Sequence, residues 1–367
     1  MTIGINGNEA NVVHRVGVGQ YAFELLSQFS KLKVQSQKLK VYLSSPPVEN
    51  MPELNYEVFG PKKLWTLTGL QRKLLLNPPD ILFTPTHYAP LYVPCPSVIS
   101  IMDLAFEKFP QYFKPRDLYQ LKYWTRYSAK QAKKILTISE NTKKDIVDLY
   151  KISADKIVVT YPGYDDERFT PKIKNQKSKI KNTMQKFKID GSYFLFLGTL
   201  QPRKNLERLI EAFRLLRTNN YKLVIAGMIN EGRGGWMNEK IKAEKNIILT
   251  GYVPDQEVPI LMANAKAFVL PSLYEGFGIP AIEAMACGTP VIVSRVSSLP
   301  EVCGNAVSYI KDPYSVSSIQ QALQDQVLQT ASERAKMVSL GLDWVKRYNW
   351  ETTAKQTLEV LYEAIQG

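Results

Sequence analysis

Two doubly wound α/β sheets, one in each half of the chain, are predicted from three observations. Short runs rich in β-branched and aromatic residues alternate with longer stretches of helical period, which is the pattern of βαβ units and parallel sheets. The scheme runs through the first half and starts again in the second, so each half has enough strands for its own Rossmann-like sheet. At 367 residues the chain is too long for one ordinary hydrophobic core and suits two domains.

In the first half the expected strands are Thr2 to Asn6, Lys40 to Ser44, Asp80 to Thr84, Ser97 to Met102, Ile135 to Ser139 and Ile157 to Tyr161. Helical stretches lie between them at Gln20 to Leu32, Lys62 to Leu76, Pro115 to Lys133 and Asn141 to Tyr150. The lysine-rich, weakly apolar run 171–190 reads as a linker with an entry helix. Strands then resume at Tyr193 to Leu197, Lys222 to Ala226, Asn246 to Thr250, Ala267 to Leu270 and Pro290 to Ser294. Their helices fall near Asn205 to Leu216, Gly235 to Ala243, Asp255 to Ala263 and Pro280 to Ala286. Two more helical stretches, Ala331 to Lys346 and Trp350 to Ile365, follow, and the last is placed to pack back on the first domain. The expected organisation is a first domain over 1–170, a second over 191–348 and a terminal helix over 349–367.

Composition narrows the function classes. The apolar runs, such as Phe194 to Leu197, fall far short of the roughly 20 residues that span a bilayer. The start MTIGINGNEAN has neither a basic nor an apolar signal region, so a cytoplasmic protein is expected. Cys95, Cys287 and Cys303 lack metal-like spacing and read as reduced thiols. The formal charge of +13 calls for an acidic partner or a solvated basic surface. Between Lys108 and Lys151 there are eleven basic residues against four acidic ones. No nucleic-acid motif accompanies them, which ranks an anionic lipid surface above nucleic acid. In KPRDLYQLKYWTRYSAKQAKK, Leu118, Leu121, Tyr123, Trp124 and Tyr127 stand among lysines and arginines, as in a helix resting on lipid, or as ordinary core residues.

The run YEGFGIPAIEAMACGTPVI, Tyr274 to Ile292, carries the chemistry. In open parallel sheets ligands bind beyond the carboxyl ends of the strands, and two such sheets facing each other would make a cleft. Strand Ala267 to Leu270 leads into a loop and then a helix with Pro280 in its first turn and Gly288 at its carboxyl cap. The backbone amides of Phe277, Gly278 and Ile279 at that helix start suit a phosphate. Glu275 and Glu283 would then accept from hydroxyls on either side of the anion, which describes a sugar nucleotide. A glutamate near a helix start is favourable without any ligand, so Glu283 has a bland reading too. Glu275, flanked by glycine in a tight loop, is harder to dismiss.

With those residues the sequence resembles the glycosyltransferase family 4 group, retaining enzymes of the GT-B fold. The resemblance covers nearly the whole chain: RVGVGQYAFELL, SIMDLAFEKFP, ILTISENTKKDI, VVTYPGYDDERF, LFLGTLQPRKNLERLIEAF, ILTGYVPD, the E-x7-E run and SSLPEVCGNAV follow in order. It implies an amino-terminal acceptor domain and a carboxyl-terminal donor domain. It also implies that Arg203 and Lys204 grip the donor diphosphate, with Asn205 capping the next helix. Glu283 would hold the ribose, Glu275 the transferred sugar, and Val253, in GYVPD, the base through backbone groups. Gly17 and Gly19 would let backbone approach the diphosphate, and Gly276 would complete the donor loop.

Two departures stand out. Where the family often has His-Asp-Leu, this chain has Met102, Asp103 and Leu104, so a histidine is missing and Asp103 remains as a catalytic candidate. Thr199 stands where some relatives have arginine. No D-x-D occurs, so transfer without a metal or other cofactor is expected, with retention of configuration. The favoured donor is GDP-mannose, with UDP-glucose next, and the acceptor a glycan or lipid-linked glycan of cell-surface polysaccharide synthesis. A catalytically silent sugar-nucleotide-binding subunit, or an epimerase or phosphorylase on the same fold, is the competing reading. A dehydrogenase fails earlier, because no G-x-G-x-x-G follows the first strand.

Overall fold

The computed structural model describes residues 1–15, 17–32, 38–216, 220–227 and 245–366. The chain divides into two compact units, one of Met1–Gly163 with Tyr348–Gly367, the other Tyr164–Arg347. The expected helix Gly235 to Ala243 lies outside the described residues.

The first unit is built on a parallel sheet of β1 (Ile3–Asn6), β2 (Leu39–Leu43), β3 (Tyr56–Val58), β4 (Ile81–Thr84), β5 (Ser97–Ile101), β6 (Lys134–Thr137) and β7 (Ile157–Val159). Their order is β3-β2-β1-β4-β5-β6-β7, which reverses direction between β1 and β4. β1, β4 and β5 are buried at every position, as expected of strands covered on both faces. Its helices are α1 (Val18–Lys31), α2 (Gln71–Leu76), α3 (Ala105–Lys108), α4 (Pro115–Gln131) and α5 (Glu140–Tyr150). α1 buries Tyr21, Ala22, Leu25, Leu26 and Phe29, one stripe at helical spacing. α5 starts where Ser139 accepts a bond from the amide of Thr142.

α4 separates the two meanings of its apolar residues. Leu118 and Leu121 pack on the core beneath it, while Tyr119, Tyr123 and Tyr127 at spacing i, i+4, i+8 are exposed.

The second unit carries α6 (Lys177–Lys186), β8 (Ser192–Leu197), α7 (Leu206–Leu215), β9 (Tyr221–Ala226), β10 (Ile247–Gly251), α8 (Val258–Asn264) and β11 (Ala267–Leu270). It continues through α9 (Ile279–Ala286), β12 (Val291–Ser294), α10 (Leu299–Cys303), β13 (Ser308–Ile310), α11 (Val316–Leu328) and α12 (Ala331–Trp344). The strands are parallel in the order β10-β9-β8-β11-β12-β13, so direction reverses between β8 and β11. Leu209, Ile210 and Phe213 of α7 meet Ile319 and Leu323 of α11 over Phe194 and Phe196 of β8, forming the core on one face. α12 opens with a full capping box, Thr330 and Glu333 each satisfying the other's backbone.

The last helix, α13 (Trp350–Gln366), belongs to the first unit. Trp350 packs edge-on against Tyr21 of α1 at 5.9 Å, and the Thr353 hydroxyl donates to the Tyr161 carbonyl at 2.6 Å. Within the described residues no helix is long and apolar enough to cross a membrane. The three cysteines are unpaired.

The structure adds elements the sequence pattern misses. β3 and β13 are three residues long, too short to show a period. α11 is also unannounced, because VSSIQQALQDQVL is mostly polar and buries only a narrow stripe. The expected helix from Lys62 gains helical backbone only at Thr66, and that from Asp255 only at Val258.

Candidate active site

The reversal between β8 and β11 is the place where an open parallel sheet accepts a ligand, because the two loops leaving their carboxyl ends diverge there. Leu197 ends β8 and the chain passes through Gln201 into a single helical turn, Pro202–Lys204. Leu270 ends β11 and the chain enters the loop that carries Ser272 and Glu275.

Three charged side chains from these loops meet. Lys204 Nζ lies 2.5 Å from Glu275 Oε1, and Arg203 Nη1 lies 3.3 Å from Oε2. The Ser272 hydroxyl donates to Oε1 at 2.5 Å, and Arg203 also donates to the Tyr274 carbonyl at 3.1 Å. Lys204 is 8% exposed and Glu275 5%. Burial alone would raise the Glu275 carboxyl, but attraction by Lys204 and Arg203 and bonds from Lys204 and Ser272 outweigh it and hold it below the ordinary glutamate value.

The sequence reading gives Arg203 and Lys204 to an anion and Glu275 to hydroxyls; the structure adds a pairing between them, one carboxylate binding both cations. The physical reason is burial: an ammonium this enclosed needs a counter-charge nearby.

Asn205 corrects one expectation. It makes no capping bond to α7. Its backbone is left-handed at φ 61°, and its side-chain nitrogen donates to the carbonyls of Pro271, at 3.0 Å, and Pro313, at 2.6 Å. Asn205 therefore ties the loop after β8 to the loop after β11, and holds Lys204 where Glu275 can reach it.

The helix start is built as expected. Gly278 adopts φ 100°, a left-handed backbone that favours glycine, and a Cβ there would lie 2.7 Å from Leu299. Ile279 begins α9 with Pro280 in its first turn. The Ser298 hydroxyl donates to the carbonyls of Glu275, at 2.9 Å, and Phe277, at 3.3 Å, and the Glu275 amide donates to the Ser297 hydroxyl at 2.9 Å. The loop holding Glu275, Gly276 and Phe277 is thus pinned by two serines, the first residues of SSLPEVCGNAV, to which the sequence reading gives no role of their own. Glu283, one turn into α9, is half-buried. Val253 is buried just past Gly251, the end of β10, on the same carboxyl edge of the sheet.

In the first unit the remaining candidates also follow strand ends. Gly17, at φ 52°, immediately precedes α1 and has open space where a Cβ would stand. Gly19 has a structural reason of its own, since a Cβ there would lie 2.7 Å from the Glu9 carbonyl. Asp103, beyond β5, accepts the Ala105 amide at 2.9 Å and so starts α3. His87, beyond β4, stacks edge-on to Phe106 at 5.9 Å; burial lowers its basicity while Asp103 raises it, and the lowering prevails.

Comparison with known proteins agrees with this architecture. Residues 179–341 match the family described as glycosyl transferases group 1, and residues 17–168 match glycosyltransferase family 4. The chain is 30% identical to the O-antigen chain mannosyltransferase B of Escherichia coli, over 93% of this chain and 94% of the relative. It is 28% identical to the MMP alpha-(1->4)-mannosyltransferase of Mycolicibacterium hassiacum, over 65% of this chain and 56% of the relative. Among solved structures, Anabaena HepE in complex with UDP and glucose superposes with a TM-score of 0.78 at 18% identity, over 99% of each chain.

Proposed function

The chain belongs to the glycosyltransferase family 4 group with the GT-B fold, and from that premise we infer that it moves mannose from GDP-mannose to a glycan or lipid-linked glycan in cell-surface polysaccharide synthesis. UDP-glucose ranks second as donor. The observation that carries the reading is the cluster of Arg203, Lys204 and Glu275 at the carboxyl ends of β8 and β11, beside the start of α9.

The cluster suits departure of a nucleoside diphosphate. Two cations and one carboxylate leave a single net positive charge, held rigid and largely out of water. Such preorganised charge stabilises a developing phosphate anion by about 3 kcal/mol for each donor. The first amides of α9 add partial positive charge on the same side. Among the described residues Glu275 accepts three side-chain bonds, and a carboxylate has about four acceptor sites, so Oε2 retains capacity for one sugar hydroxyl. Glu283 and Val253 are assigned to the ribose and the base.

The proposed reaction breaks the bond from the sugar's anomeric carbon to phosphate oxygen and forms the glycosidic bond on the same face. The acceptor hydroxyl's proton passes to the departing phosphate, and no metal takes part. The test is turnover against a panel of nucleotide sugars, with the product linkage read by NMR and the assay repeated in excess EDTA. GDP-mannose is expected to give an α-linked product at an unchanged rate in EDTA. An inverted linkage, loss of rate in EDTA, or binding without transfer would each contradict the corresponding part. For the acceptor side, the exposed tyrosines of α4 among Arg116, Arg126 and Lys130 support contact with anionic lipid. Failure to sediment with phosphatidylglycerol vesicles at low salt removes that support.

A further inference from the structure

We propose that the second unit carries a separate, non-catalytic binding site for a neutral oligosaccharide, in the groove between α11, α12 and the start of β13. The groove has a volume of about 460 Å³, within the usual range for small-molecule sites. It runs beside Ser308, the first residue of β13, at the amino edge of the sheet. The Arg203, Lys204 and Glu275 cluster sits at the carboxyl edge, so the two sites are distinct.

The floor of the groove is short of hydrogen-bond partners. Gln326 is 2% exposed, yet its side-chain oxygen has no partner among the described residues. Its side-chain nitrogen donates to the Gln329 oxygen. Gln329 in turn spends its own donor on the Met337 sulfur at 3.9 Å, a weak acceptor. Exchanging oxygen and nitrogen in the Gln326 amide only moves the shortfall to the other atom. A buried amide left half-satisfied is costly, and a ligand hydroxyl, donor and acceptor at once, satisfies both amides.

The walls select the ligand class. Asp325 and Glu333 against Lys336 give one net negative charge, which disfavours phosphates and other anions. Met337 and Leu340 offer apolar surface to the C–H face of a sugar ring, as carbohydrate sites require alongside amides and carboxylates. The occupant is therefore a hydroxyl-rich, uncharged saccharide, and the choice of mannose as its unit rests on the function proposed above. Such a site would hold a growing or acceptor glycan to the enzyme away from the reaction centre.

The reporter is built into the groove. Met337 is one of nine methionines, so 13C-methyl labelling gives a sparse spectrum in which Met337→Leu identifies its signal. Titration with α-linked mannobiose and mannotriose is expected to move the Met337 methyl saturably. Gln326→Leu, of similar shape, is expected to weaken that binding at least about tenfold while leaving transfer intact. Gln329→Leu serves as a second variant should the first not fold. No saturable shift, or binding unchanged in both variants, overturns the proposal. Transfer without a Met337 response sinks this site alone; a Met337 response without turnover of any nucleotide sugar sinks the function reading alone.

Discussion

Lys204 can be interior because Glu275 lies 2.5 Å away, and the same carboxylate restrains Arg203. Removing it leaves two cations facing each other in a poorly hydrated site, so Glu275→Gln is expected to destabilise the second unit by about 3 kcal/mol near neutral pH. The pH dependence has a definite sign. A carboxyl held below its ordinary value contributes stability above the unfolded value of 4.5, and that contribution is lost as pH falls through the lower folded value. Urea melts should therefore show the gap between wild type and Glu275→Gln closing as pH is lowered from neutral to about 3. An equal gap at both ends would refute the pairing. The sequence named all three residues but assigned them separate tasks. Pairing between positions 71 and 72 residues apart has no local signature, and only the juxtaposition of two strand ends creates it. The same holds for Asn205, whose local setting suggests a helix cap while its bonds go to Pro271 and Pro313.

Among the elements, the turn into α9 decides whether Glu275 is presented at all. Gly278→Ala forces a side chain into a left-handed backbone and against Leu299, at a cost of at least about 1–3 kcal/mol. Because that turn also sets the first amides of α9, the variant is expected to lose nucleoside diphosphate affinity along with a lowered melting temperature. Unchanged affinity, measured by calorimetry well below the melting transition, would separate the helix start from donor binding. Long periodic elements were legible in order: α1, α4, α7, α9 and the strands that flank them stand within a few residues of their expected bounds. β3 and β13 were not, since three residues cannot display alternation, and α11 was not, since its apolar stripe is narrow among glutamines and serines.

At the scale of the whole molecule, the described residues form two doubly wound parallel sheets, of seven and six strands. The alternation of strand and helix announces both, and each sheet's strand order locates a reversal point that sequence cannot show. At the second reversal, between β8 and β11, lies the proposed diphosphate site. The deciding measurement is a crystal structure with GDP, with titration of GDP into Lys204→Ala as control. The expected result is diphosphate oxygens bonded to Arg203, Lys204 and the amides at the start of α9, with affinity lost in the variant. A nucleotide bound elsewhere, or held with wild-type affinity by Lys204→Ala, would contradict it.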